Sequence, residues 1–428
     1  VFVWRQLGRD RPAPEPEETT NLEHAPTPGK WHPLRVGKGV LKARARKLTA
    51  AQKQEMARLE TLSYLSGYKT APSLKGVTIH DEAQVLQALS LVVSAHAPEA
   101  ALMDIRGKVL HTWRRSYPEA RRHTPALRPP AKKYGGPKSW RRAYLYPNGD
   151  LLAIFEGWGL MKLDRDSRIQ WIFPKAAHHD LFVDPAGPIY VLTRKARIVP
   201  RINKDKPVLA DYITVLSSAG EPVKEIALLE AYESSAFKDA LRGMRRAGDI
   251  FHTNSIQVLD GRHASRSPLF NRGNILISVL YLDSIAIIDP QTRKVVWAAS
   301  RGWHLQHDPT LLDNGNILLF DNQGGDDGMS SVIEFEPLSG KWVWGFHGGP
   351  GNPFHSAECG TAQRLLNGNT LITESLNGRA LEVNRKREIV WEYYNPHRAG
   401  KNNELIATLF DVVRLDPDFP TDWLRGKR

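Results

Sequence analysis

One cysteine, Cys359, stands among 428 residues, so no internal disulfide framework is available and the redox compartment stays undecided. No apolar run reaches about 18 residues, which excludes a membrane-spanning helix in this stretch of chain. The glycine-rich loop that cradles nucleotide phosphates is also missing. Acidic residues are the scarcer sign, with 46 Asp and Glu against 59 Lys and Arg, and the formal charge is +13. That excess favours anionic partners, whether nucleic acid, lipid headgroups or acidic small molecules, and does not choose among them. The chain opens Val1-Phe2-Val3-Trp4 rather than on methionine, and this apolar scrap is read as the end of an upstream signal or anchor.

What is present divides into three stretches: residues 1–75, 76–394 and 395–428. Residues 5–47 are rich in proline, charge and threonine without periodicity and read as an extended arm. Thr49 and Gln52 have capping-box spacing, and Met56, Leu59 and Leu62 follow at helical spacing, which predicts one short helix ending by Gly67. From Gly76 the texture becomes short strands and turns. The tail after Asn395 carries an apolar run, Leu405–Val413, expected to pack on the preceding domain.

An internal repeat organises the middle stretch. Met161-Lys162-Leu163-Asp164 leads to Trp171, Ile287-Ile288-Asp289 to Trp297, Glu334-Phe335-Glu336 to Trp344 and Leu381-Glu382-Val383 to Trp391. Each unit is preceded by another strand pair, as in Asn314-Gly315-Asn316-Ile317-Leu318, where Asn-Gly predicts a type I′ hairpin turn. Four strands at a period of about 50 residues predict a propeller blade. The fold class expected is all-β: a six-bladed β-propeller with four-stranded blades, starting near residues 76, 140, 178, 251, 306 and 360, preceded by the arm and the helix. The recurrent tryptophans are expected to pack between blades. Leu229–Met244 reads as an inserted helix, and the basic stretch 114–142 as an inserted loop.

The first strand of each blade lies nearest the central channel, so equivalent positions converge there. Stepping back eight residues from the turn glycine gives Arg141, His179, His307 and Gly360 in the second, third, fifth and sixth blades. The long turn at 261–272 displaces the count in the fourth blade, where His252 opens the matching strand. In the first blade His80 fits the register. Four histidines and an arginine are thus expected around one mouth of the channel. Asp180 and Asp308 follow their histidines and point to the other side of the strand. No Glu or Cys joins these positions, and Asn254 is a poor transition-metal ligand, so no metal is expected. Imidazoles, an amide and basic surroundings suit an oxyanion instead.

The strings His252-Thr253-Asn254-Ser255-Ile256, Gln306-His307-Asp308, His178-His179-Asp180 and Gln363-Arg364-Leu365-Leu366-Asn367-Gly368-Asn369-Thr370-Leu371-Ile372 resemble the bacterial arylsulfate sulfotransferases. That resemblance implies a six-bladed propeller moving a sulfuryl group from an aryl sulfate to a phenolic acceptor by ping-pong through a sulfohistidine, with no nucleotide donor and no cofactor. By motif, His307 matches the sulfurylated histidine, His252 and Asn254 the pair that contacts the sulfuryl oxygens and leaving group, and His179 a further channel histidine. Arg141 and His80 join the substrate-binding set by register. Leu280 stands where the family has an arginine, so Arg141 is the expected substitute.

The resemblance places the protein in the periplasm or another extracytoplasmic space, tethered by an N-terminal anchor. The arm and the insert 114–142 are expected to meet a protein partner or a membrane surface; no nucleic-acid reader module is present, and a homo-oligomer is compatible with the sequence. The alternative to the enzyme is a catalytically impaired propeller serving as an accessory subunit of a membrane-associated assembly.

Overall fold

The computed structural model describes residues 48–60, 68–129, 136–325, 328–349 and 353–426. The arm at 5–47, Leu62, Gly67 and Tyr134 of the basic insert lie outside the described residues. No helix among the described residues is long and apolar enough to cross a membrane.

Strands dominate, and the fold is all-β. Among the described residues the strands form seven sheets; six follow one another along the chain and are built mainly of antiparallel neighbours in chain order, and the seventh is a small sheet of Lys69–Thr70, Leu405–Ile406 and Arg398–Ala399. The second sheet (Arg142–Leu145, Leu151–Phe155, Gly159–Leu163, Ile169–Phe173) is the simplest example. Its turns show why glycine recurs. Gly149 donates its N–H to Tyr146 O and has φ +87°, a type I turn followed by one left-handed residue. Asn314-Gly315 adopts this same turn and not the expected type I′, since only Gly315 takes positive φ. Asn314 stays right-handed because its side chain is committed locally. Its Oδ1 accepts from Asn316 N at 3.0 Å and its Nδ2 donates to Glu334 Oε1 at 2.9 Å.

Six apolar clusters join the sheets in sequence. Trp113 and Phe155 belong to the cluster between the first two sheets, Leu152 and Val191 to the next, and Ile213 and Ile256 to the third. Ile285 and Ile333, then Phe320 and Ile372, continue the series, and Trp391 with Val92 joins the sixth sheet to the first. This cyclic packing is propeller-like. The repeated tryptophans serve it directly. Trp113 Nε1 donates to Gly149 O at 3.0 Å, Trp344 Nε1 to Arg385 O at 3.1 Å and Trp391 Nε1 to Ile105 O at 2.8 Å, each in a turn of the next sheet. Trp171 lies over Gly220, where an added Cβ would meet the ring at 2.6 Å.

Closure differs from the sequence reading. Gly76–His80 does not begin the first sheet; it pairs with Ile389–Tyr394 and becomes the outer strand of the sixth. The innermost strand of the first sheet is Leu409–Arg414, hydrogen-bonded to Ser90–Ser94. The C-terminal apolar run therefore lies within a sheet. The segment expected as one helix is also shorter: an α-helix over Leu228–Glu233, then a 3-10 turn over Lys238–Leu241. Ser234 Oγ and Ser235 Oγ donate to Glu230 O and Tyr232 O, competing with the backbone where the helix stops. In the basic insert a helix the sequence reading passed over spans Tyr117–His123, capped by Ser116 with Glu119 in a full capping box.

Candidate active site

The pairing registers define equivalent positions without reference to any motif. The last residues of the inner strands (Leu145, Val183, Val258, Leu311, Arg364, Arg414) pair with the first residues of the second strands. Four residues earlier stand Arg141, His179, Asn254, His307, Gly360 and Phe410. The position assigned by glycine counting is thus recovered in four sheets and changed in two. Asn254, not His252, occupies it in the fourth sheet, and Phe410, not His80, in the first. His80 ends an edge strand and belongs to no part of this cluster.

Bulges aim the side chains. Register shifts fall between Ala177 and Leu181, between Thr253 and Ser255, and between His307 and Thr310. Left-handed backbone occurs at His179, His252, Leu305, Asp308 and Cys359. For non-glycine residues such conformations cost about 1 kcal/mol or more each and gather where geometry is imposed by the surroundings. His252 reaches the cluster although two residues off register: its N–H donates to Asp249 Oδ1 at 3.0 Å, and the chain turns at φ +53°.

His307 is 5 % exposed, and its two hydrogen bonds among the described residues are both at Nδ1, to Asn322 Oδ1 at 2.7 Å and Leu305 O at 3.1 Å. Asn322 Nδ2 donates to Ser356 O and Cys359 O, which fixes which end of the amide faces the imidazole. Both partners of Nδ1 are acceptors, so Nδ1 carries the proton and Nε2 keeps its lone pair. Burial, with Arg141 and His252 close enough to oppose a positive charge, holds His307 down at about 3. It is neutral at neutral pH.

The His252 ring lies 4.8 Å from that of His179, centroid to centroid. His252 Nδ1 donates to Asp249 Oδ2 at 3.0 Å, so this imidazole has a carboxylate behind it. His179 and His178 are buried, their Nδ1 atoms 2.9 Å apart, and desolvation above all keeps both well below the ordinary histidine range. Arg141 is buried, stacks over Phe410 and directs Nη2 to Cys359 Sγ at 3.7 Å. Asn254 Nδ2 donates to Gln306 O at 2.9 Å, while its buried Oδ1 and Gln306 Oε1 have no hydrogen-bond partner among the described residues.

A further set of equivalent positions, on the second strands, escaped the sequence reading. Seven residues after the turn glycines stand Glu156, Arg194, Leu280, Asn322 and Ser375, just beyond or within the ends of the second strands. The same glycine that located His307 would have located Asn322. Glu156 is the pivot here. Arg141 Nε and Arg194 Nη1 lie 3.8 and 3.6 Å from its oxygens, and its Oε2 accepts from His179 N at 3.1 Å. Glu156, His178 and His179 bring metal-ligating atoms within 4.8 Å of one another, so a carboxylate does join the histidines. Two guanidiniums beside that carboxylate oppose a cation and favour an anion. Leu280, buried, opens a 3-10 turn and donates its N–H to His252 O at 3.4 Å; it offers no charge to the pocket.

Solved structures similar to this chain are distant. A protein of unknown function from Bacteroides caccae is 14% identical, with 76% of this chain and 98% of that chain covered and a TM-score of 0.47. A streptogramin B lyase structure is 13% identical over 81% of this chain and 95% of its own, with a TM-score of 0.43. BamB from Moraxella catarrhalis is 11% identical over 78% and 84%, with a TM-score of 0.34. No curated protein matches the chain. The family model described as Arylsulfotransferase (ASST) matches residues 145–396, which include every member of the histidine cluster. The chain belongs to the arylsulfotransferase (ASST) family.

Proposed function

We propose that the six sheets are the blades of a six-bladed propeller and that its channel transfers sulfuryl groups between phenols through His307. The observation that carries this reading is the fixed tautomer of His307, with Nδ1–H spent on Asn322 and Nε2 left as a nucleophile. In the first half-reaction Nε2 attacks sulfur. The N–S bond forms, the bond from sulfur to the aryl oxygen breaks, and that oxygen keeps the electron pair and takes a proton from His252. In the second half the acceptor phenol returns a proton to His252 as its oxygen attacks sulfur, and the N–S bond breaks. Asp249 balances the charge of His252 whenever that ring holds two protons. Arg141 supplies the guanidinium that Leu280 does not, and His179 lines the sulfuryl pocket. Asn254, with one amide N–H committed to Gln306 O, keeps the second N–H of Nδ2 as the donor to a sulfuryl oxygen. No step needs a cofactor.

By family resemblance we place this reaction outside the cytoplasm, with residues 1–47 and the basic insert as the contacts to a membrane surface or partner protein. The test is incubation with 4-nitrophenyl sulfate and a phenol. Acceptor-dependent nitrophenolate release and a sulfurylated peptide containing His307 are expected. Absence of both sinks the enzyme and leaves the accessory-subunit reading.

A further inference from the structure

Away from the histidine cluster, the hairpin between Ser90–Ser94 and Glu99–Met103 carries His96 and Glu99, and the link that leaves Ile389–Tyr394 carries His397. These residues are three hundred positions apart and meet at one point. The rings of His96 and His397 stack at 3.4 Å with 6° between their planes. His96 Nε2 lies 2.8 Å from Glu99 Oε1, and His96 Nδ1 lies 2.5 Å from Ser94 Oγ. Glu99 is buried, His96 is half-buried and His397 is exposed. The three residues present ligand atoms within 4.8 Å of one another.

We propose that His96, Glu99 and His397 form a site for a divalent transition metal of the zinc class, which pins the first sheet to the link leaving the sixth. Two imidazoles and one carboxylate make a donor set suited to zinc, with a fourth position left for water. The neighbours of His96 fit either state of the site. A carboxylate only accepts, so without metal Nε2 carries the ring proton and Ser94 Oγ–H donates to Nδ1. When Nε2 takes the metal the ring proton sits on Nδ1, and the same hydroxyl turns to accept it. Ser94 then holds the ring as a partner behind a metal ligand does. His397, exposed, turns out of the stack about its Cβ–Cγ bond to bring a nitrogen in plane. The competitor is Arg114, whose guanidinium pairs with Glu99 and whose side chain is 68% exposed, so it can withdraw into solvent.

The test is zinc binding by the full chain after stripping with chelator, followed by calorimetry and by cobalt substitution. Wild type is expected to take up one equivalent that raises its melting temperature and, as cobalt, gives the visible absorption of a four-coordinate site. H397A and H96A are expected to lose that equivalent, while H179A, in the other histidine cluster, keeps it. R114A is expected to bind several-fold tighter. His397 is exposed, so H397A tests the site without threatening the fold. A wild type that takes up no zinc, an H397A that takes up as much as wild type, or an R114A that binds more weakly overturns the proposal.

Discussion

Two rings of side chains sit one residue apart on the same inner strands and do different work. One holds Arg141, His179, Asn254 and His307; the other holds Arg142, Asp180, Ser255, Asp308, Thr361 and Asp411. In the second ring the charged side chains are tied to the neighbouring sheet, while the buried Ser255 Oγ has no hydrogen-bond partner among the described residues. Asp180 Oδ2 accepts from Ile256 N, Asp308 Oδ2 from Ala362 N, and Asp411 Oδ1 from Thr361 Oγ1. Arg142 bridges Asp180 at 2.9 Å and Asp411 at 2.6 Å. In the first ring, among the described residues, Asn254 Oδ1 has no hydrogen-bond partner and His307 bonds through one nitrogen only. Burial acts in both rings: it brings His307 down to about 3 and Asp308 up to about 7. The difference lies in the charged and ring groups: Arg142, Asp180, Asp308 and Asp411 are held across sheets, whereas the proposed nucleophile His307 keeps one ring nitrogen without a hydrogen bond among the described residues.

The largest effect expected is on the first ring. His307→Ala should lower sulfuryl transfer by about 10⁴-fold or more, with the melting temperature little changed, because it removes the proposed nucleophile. Retained nitrophenyl sulfate turnover would erase the distinction between the rings. Arg142→Met should cost about 3–5 kcal/mol in urea unfolding, since it strands Asp180 and Asp411. Arg141→Met, one residue away, should mainly reduce kcat/KM, by roughly 10²-fold, through loss of the pocket's guanidinium. Equal stability losses in the two variants would break the comparison. Asn322→Leu should lower kcat by about 10²-fold with KM changed less, by releasing the Nδ1 proton from its fixed place.

The smallest effect concerns pH. Asp308 titrates higher in the folded chain than when unfolded, so the folded state holds the extra proton between the two values. Its contribution to stability is complete below the ordinary aspartate range and is lost as pH rises through about 7. The buried histidines, held low, act in the opposite sense over much of the same interval, so the readout is a difference between chains: the denaturant midpoint of wild type relative to that of Asp308→Asn should fall as pH rises through about 7. Asp211, also raised to about 7 by burial and by Asp249, leaves a residual slope in that variant.

Much of this was legible in the chain because turn glycines mark register, and register fixes which side chains converge. His179, His307 and Arg141 follow from that count alone. Two misplacements have physical causes. The long turn at 261–272 breaks the count in the fourth sheet, so Asn254 holds the position assigned to His252. His80 failed because the pattern of a strand does not say which distant strand it pairs with. Gly76–His80 and Leu409–Arg414 exchange the roles that local order suggests. Asn322 is hidden for a different reason: it lies just beyond a second strand, outside the inner-strand register, although the same glycine points to it seven residues onward.

The pairing of Leu409–Arg414 with Ser90–Ser94 also sets a timetable for biosynthesis. More than three hundred residues separate the two strands. At synthesis rates of about 5–20 residues per second, the strand Ser90–Ser94 waits roughly 15–60 s for its partner. Throughout that interval its inner edge is an open template for another nascent chain. Asp411, which completes the second ring, arrives only at the end. A ribosome stalled before residue 409 would therefore yield a chain with the proposed site residues His179, His252 and His307 and an adhesive edge, a natural substrate for chaperones.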